Sequence, residues 1–413
     1  MSVQMASASA AGPPIGSRWL TVAGAVVFIG AFALYAGHVE FNLGAFWIIG
    51  IAAGVILQRS RLCFAGAFRD LIMSGDGRLM RALLVGLGVA TVGFALLMNR
   101  FVPDPSFNVL PPGAHIQTVG IATVVGGVVF GIGMVLAGGC VTGTLWRMGE
   151  GYLNSWVAML GIVAGLWSAN QTWNFWYDHD ISKREAIWLP AKIGMTPSII
   201  LTLATLGGLY LALLWWESRS PRLPAPASKP VPPAMTFSGQ LRRTHQVLFG
   251  GHGWSYLAGA ISLGVLSIAA YNLKSPLGVT GGIGLWVDNV AGFVHADALP
   301  LKGAELLAGC TPTAGGSDWL TIRTMTALGV VFGAFTASLL SGEFKVRYSR
   351  KLARYPQVVV GGAAMGYASV IAVGCTIGAF FSSIPSLALS GWIFGLSLFA
   401  GAFIGTKVIR RLP

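Results

Sequence analysis

Four cysteines stand at positions 63, 140, 310 and 375. None belongs to a C-x-x-C pair and none has zinc spacing to a histidine, so neither a redox dithiol nor a zinc site is written in the chain. A lone buried cysteine is ordinarily a small hydrophobe, and Cys310, in LLAGCTPTAGG, carries nothing that separates it from that reading. Cys140 and Cys375 differ, because their surroundings are duplicated. Residues 126–143, GGVVFGIGMVLAGGCVTG, align with 361–378, GGAAMGYASVIAVGCTIG. Eight of the eighteen positions are identical, including Gly139/Gly374 and Cys140/Cys375; chance gives roughly one or two. Close helix packing explains repeated glycines. It does not explain a cysteine at the same place in both copies. A second pair, RSRLCFAG at 59–66 and KSPLGVTG at 274–281, sets Arg59 against Lys274 and Cys63 against Gly278.

These residues suit the handling of a small anion. The Gly-Gly-Cys and Val-Gly-Cys breaks interrupt apolar helices, and each helix that resumes after a break opens with unpaired N–H groups and a positive partial charge. Thr142 and Thr376 stand where they could cap those ends. Two such N-termini facing each other form an anion site without any formal charge. Arg59, Arg61 and Lys274 add formal charge at breaks in apolar sequence, where a cation is costly and marks a functional site by default; Arg69, Arg78 and Arg81 read as interfacial side chains that snorkel. A thiol is a weak S–H donor, can contact sulfur and can become a persulfide, and cations or helix N-termini ease its deprotonation. A row of thiols therefore fits an anion that carries soft sulfur or selenium better than chloride or phosphate. The six histidines (38, 115, 179, 245, 252 and 295) fall in loops or near span ends, with no H-x-x-x-H, and read as ordinary loop or interface residues.

The elements that must position these groups are membrane helices. Of 413 residues, 54% are apolar and 10% charged, against about 25% charged in a soluble domain. Soluble, disordered and fibrous classes are excluded, and an all-α polytopic membrane protein remains. Apolar segments lie near 19–35, 44–58, 79–98, 117–138, 152–169, 196–216, 250–271, 319–340, 357–374 and 387–406, about ten crossings. Residues 1–17 read as a disordered tail, 18–216 as a first membrane half, 217–245 as a Pro-rich cytoplasmic linker and 246–413 as a second half. The net charge of +13 sits in short basic runs between apolar spans, which reads as topology rather than nucleic-acid binding. The linker, 344–354 and the C-terminal tail are expected in the cytoplasm, with both termini. The segment leading to Cys140 then descends while the one leading to Cys375 rises. The halves are expected to be inverted repeats whose interrupted helices meet near the bilayer midplane. No Walker A sequence is present, and no cofactor is expected.

RSRLCFAGAFRDLIMSGDGR (59–78), GGVVFGIGMVLAGGCVTGTLWRMGEG (126–151) and GGAAMGYASVIAVGCTIGAFFSSIP (361–385) together resemble the YeeE/YedE family of bacterial inner-membrane proteins. The resemblance covers both halves and leaves out the N-terminal tail, the linker and the 282–318 insertion. It implies a multi-pass transporter or channel-like permease of the bacterial inner membrane. Its cargo would be thiosulfate, or a selenium compound or other sulfur anion for some members. It also implies passage along Cys140, Cys375 and, in the R-x-C-F-x-x-A-F-R-D stretch, Cys63, by S–H hydrogen bonds in a constricted pore between inverted halves. Cys310 has no placeable counterpart in that pattern. A cytoplasmic sulfur carrier or sulfurtransferase is a candidate partner. A membrane thiol enzyme for sulfur transfer or disulfide exchange is the competing class, but it would want paired, exposed cysteines. Single cysteines set in apolar spans favour transport.

Overall fold

The computed structural model describes residues 7–9, 15–107, 109–219, 253–293, 301–303 and 319–411. Cys310, most of the 217–245 linker and most of the 282–318 insertion lie outside the described residues. Of the expected N-terminal tail, Ser7–Ser9 pair antiparallel with Arg347–Ser349 as a two-stranded ribbon, and the first helix begins at Ile15.

All ten apolar segments are helical. In chain order the helices are α1 (Ile15–Val39), α2 (Phe41–Ser60), α3 (Phe64–Ser74), α4 (Arg78–Phe101), α5 (Ile121–Ala137), α6 (Val141–Glu150), α7 (Leu153–His179) and the short α8 (Leu189–Ile193). They continue with α9 (Met195–Arg219), α10 (Tyr256–Leu273), α11 (Thr280–Phe293), α12 (Ile322–Ser341), α13 (Arg354–Ile371), a π-helix (Thr376–Ser382) and α14 (Leu389–Ile409). Among the described residues eight spans are long and apolar enough to cross a bilayer, or nine when α13 and the π-helix count as one bent span. The tenth apolar segment is α7, 27 residues long; its second half carries Asn170, Gln171, Asn174 and Asp178, which dilute its apolarity. The chain is an all-α polytopic membrane protein.

The interrupted helices appear where the glycine–cysteine breaks lie. α2 and α3 form a broken span, Phe41–Ser74, and α5 and α6 another, Ile121–Glu150. Gly138 (φ 78°) and its repeat counterpart Val373 (φ 52°) both take the left-handed conformation that stops the preceding helix. Glycine does so freely, while a β-branched residue there is strained.

Close packing is set by glycines and follows one pattern twice. A Cβ on Gly131 of α5 would lie 2.4 Å from the Leu398 carbonyl oxygen of α14, with Ala402 next along. A Cβ on its counterpart Gly366 of α13 would lie 2.2 Å from the Ile162 carbonyl oxygen of α7, with Leu166 next along. Only glycine permits backbones this near. The contact between α5 and α13 is reciprocal as well: Gly126 meets Ala372, and the matched Gly361 meets Ala137. The two helices therefore run antiparallel. The same crosswise arrangement joins α2 to α12 at Gly54 and Val330, and α10 to α4 at Gly264 and Gly86. Helices of the two sequence halves interleave, and one apolar core draws on both.

Candidate functional site

Each described cysteine occupies the residue before a helix resumes. Cys63 precedes α3, Cys140 precedes α6 and Cys375 precedes the π-helix, all with extended backbone. The chain reaches Cys63 through Arg61, in the left-handed region at φ 51°. All three are buried and none forms a disulfide among the described residues.

The sulfur of Cys140 accepts a hydrogen bond from Gly143 N at 3.3 Å. The thiol itself thus caps α6, meeting one of the orphan donors at the helix start. This corrects the expectation that Thr142 and Thr376 act as caps. Thr142 is the second residue of α6 and Thr376 the first of the π-helix, one or two positions too late. Both are buried, and Thr376 instead lies against the Cys140 thiol. The two repeat-related helix starts do meet, through this Cys140–Thr376 contact.

Cys63 and Cys140 come together across the broken spans, their thiols close enough to interact with each other. A Cβ on Gly143 would lie 3.3 Å from Cys63 Sγ and 3.4 Å from Cys140 Sγ. Glycine at 143 therefore keeps open the space on which both sulfurs border. Phe64 meets Phe381 edge-on at 5.6 Å, and Phe68 meets Phe380 at 5.9 Å, so aromatic rings close the flank of this junction.

Arginine reaches the junction from a residue the sequence did not single out. Arg147, two turns along α6 from Cys140, donates to the Gly138 carbonyl oxygen and acts electrostatically on Cys63, as does Arg69. A Cβ on Gly139 would sit 2.9 Å from Arg147 Nη1. The guanidinium thus fills the space that glycine leaves at the break.

Arg59 and Arg61 belong to an ion cluster beside the Cys63 break. The Arg59 side chain is fully buried, with Nη1 3.5 Å from Glu343 Oε2; Gln58 Nε2 donates to the same oxygen at 2.8 Å. Arg61 is half-exposed and bridges Glu343 at 3.2 Å and Glu150 at 3.6 Å. Arg347 pairs with the buried Glu150 at 3.0 Å. Lys274 is not brought to this place. It is half-exposed and pairs with Glu40 at 3.6 Å, beyond the opposite end of the twenty-residue α2, about 30 Å away at 1.5 Å per residue. Arg59 and Lys274 thus sit at opposite ends of the helix bundle rather than in one site.

His115 also departs from its bland reading. It lies in a loop, as expected, but is buried, and a Cβ on Gly374 would be 3.0 Å from its Nε2.

The assembled groups are thiol donors, helix N-termini and a guanidinium around an apolar-walled break. They can hold a small anion through soft S–H contacts.

Comparison with known proteins bears on what that anion is. Residues 59–404 match the family described as sulphur transport. The thiosulfate transporter TsuA of Spirochaeta thermophila is 30% identical over 374 residues, covering 88% of this chain and 98% of the relative. The thiosulfate transporter TsuA of Escherichia coli is 26% identical over 379 residues, covering 89% and 94%. The probable transporter YedE of Salmonella typhimurium is 30% identical over 223 residues, covering 52% and 53%.

Proposed function

The chain belongs to the sulphur-transport family, and from that premise we propose that it carries thiosulfate, or a closely related sulfur anion, across a membrane past the thiols of Cys63, Cys140 and Cys375. The observation that carries this reading is the junction at which Cys63, Cys140 and Thr376 meet over Gly143. The relatives that cover nearly the whole chain are named as thiosulfate transporters, not enzymes. Thiosulfate presents a terminal sulfur that accepts from S–H and a sulfonate end that suits N–H donors. Cys140, already held as a helix cap, is oriented for such a contact.

The reciprocal glycine contacts of α5 with α13, α5 with α14 and α7 with α13 support two inverted halves about a pseudo-two-fold axis, the architecture in which substrate binds at the repeat interface. The basic run around Arg347 supports a cytoplasm-facing loop, in a bacterial inner membrane on this reading. The face bearing Arg61, Glu150 and Arg347 is then the one that a cytoplasmic sulfur carrier or sulfurtransferase would meet. A reporter inserted at 344–354 is expected to read cytoplasmic and one at 178–185 the opposite side. The same side for both would end the inverted arrangement.

Selectivity tests the substrate. In liposomes holding the purified chain, uptake of sulfur-35 thiosulfate is expected to saturate. Unlabelled thiosulfate should compete fully, and selenite or sulfite less so. Sulfate, which has no terminal soft sulfur, should compete at least about tenfold more weakly, the discrimination expected of a site that hydrogen-bonds that atom. Equal competition by sulfate would mean that the thiols do not read the substrate.

A further inference from the structure

The two glycines that precede the repeat-related cysteines share a feature that the repeat itself does not provide. At Gly139 the space of a missing Cβ is taken by Arg147 Nη1, 2.9 Å away; at Gly374 it is bordered by Ala379 at 2.8 Å and by His115 Nε2 at 3.0 Å. Arg147 aligns with Ser382 in the repeat, and His115 precedes the duplicated block altogether. The two halves therefore bring a nitrogen donor to the same place by unrelated routes, one from α6 and one from the connection between α4 and α5.

That connection is fixed against the π-helix and the start of α14. His115 N donates to Ser386 Oγ at 3.1 Å and Gln117 N to Ser390 Oγ at 3.3 Å. Ser390 Oγ in turn lies 3.1 Å from Ser383 Oγ. His115 is 5% exposed and Gln117 3%. Among the described residues neither Nε2 nor Oε1 of Gln117 has a hydrogen-bond partner. A buried side-chain amide unpaired at both ends is costly and unusual in a folded protein. Together with the imidazole at Gly374, it marks a place built to meet a polar ligand.

We propose that His115 and Gln117 form an anion subsite beside Gly374 and Cys375, on the face opposite Arg147, which holds the sulfonate oxygens of thiosulfate before its terminal sulfur reaches the thiols. The imidazole N–H and the amide N–H donate to the oxygens, leaving the soft sulfur for Cys375. In the proposed orientation this is the outer subsite, and Arg147 is its inner counterpart. This rests on the transporter reading above and adds to it the residues that hold the oxyanion end.

The test is the initial rate of sulfur-35 thiosulfate uptake into liposomes, measured across substrate concentration. For His115→Ala the KM should rise about tenfold with the maximal rate within about twofold. His115→Gln keeps an N–H donor and should return the KM to within about threefold of the parent. Gln117→Ala should raise the KM about threefold. An unchanged KM in both alanine variants overturns the subsite. So does an equal loss of maximal rate in His115→Ala and His115→Gln at unchanged KM, which is the mark of a structural role. Absence of uptake by the parent protein is a different result, and it overturns the transporter reading itself.

Discussion

Replacing Cys140 by alanine is expected to lower thiosulfate uptake by about ten- to a hundredfold, the equivalent of losing a hydrogen bond worth about 1–3 kcal/mol in a confined site. The residue has three contacts to lose: it accepts from Gly143 N, lies beside the Cys63 thiol and lies against Thr376. Part of the change falls on stability, because an alanine cannot cap α6; that costs about 1 kcal/mol. Cys140→Ser separates the two effects. A serine oxygen is a good cap and keeps a donor, so the variant should fold as well as the parent. If the thiols work by hydrogen bonding, Cys140→Ser should recover most of the uptake lost in Cys140→Ala. Uptake as low as in the alanine variant would instead point to a covalent step on sulfur. Radiolabelled uptake read beside a melting curve decides between them.

Glu343→Ala should be among the most damaging single changes outside the thiol junction. Glu343 is the carboxylate partner of the fully buried Arg59, and it also holds Arg61 and Gln58. Removing one member of a buried ion pair leaves the other charge uncompensated and typically costs about 3–5 kcal/mol. The Glu343 side chain is 19% exposed, so water offsets part of the loss and the lower end of that range applies. The expected result is a clearly reduced melting temperature in detergent, with a smaller yield of monodisperse protein. The double variant Arg59→Met/Glu343→Leu should be less destabilised than Glu343→Ala, because it leaves no charge stranded. An unchanged melting temperature for Glu343→Ala would show that solvent screens this pair.

Much of this arrangement is legible in the sequence, for a physical reason in each case. Apolar runs must be helices in a bilayer because no other structure satisfies the backbone there, and all ten were found as helices. Glycine–cysteine breaks showed because they were duplicated, and the helices do stop at Gly138 and Val373. The capping assignment failed by one or two residues. Sequence preference favours threonine at a helix start, but the left-handed turn at Gly138 ends the first helix early enough for Cys140 itself to take that position. Arg147 is not legible in the sequence, because a lone arginine five residues before the next apolar segment reads as interfacial; only the fold of α6 back onto Gly138 reveals its place. Glu343 and His115 depend on long-range packing. Glu343 lies 284 residues from Arg59, and His115 reaches Gly374 through a connection without regular structure. No local pattern encodes such contacts. Lys274 illustrates the reverse: a pair of cations matched across the sequence repeat is carried to opposite ends, so equivalence in sequence is not proximity in space.

The central claim is that a sulfur anion crosses at the thiol junction. It is tested most directly by sulfur-35 thiosulfate uptake into liposomes containing either the parent chain or the variant Cys63→Ala/Cys140→Ala/Cys375→Ala, at matched, folded protein. The account predicts saturable uptake by the parent and uptake by the triple variant no higher than that of protein-free liposomes. Uptake by the triple variant at the parent's rate would contradict it.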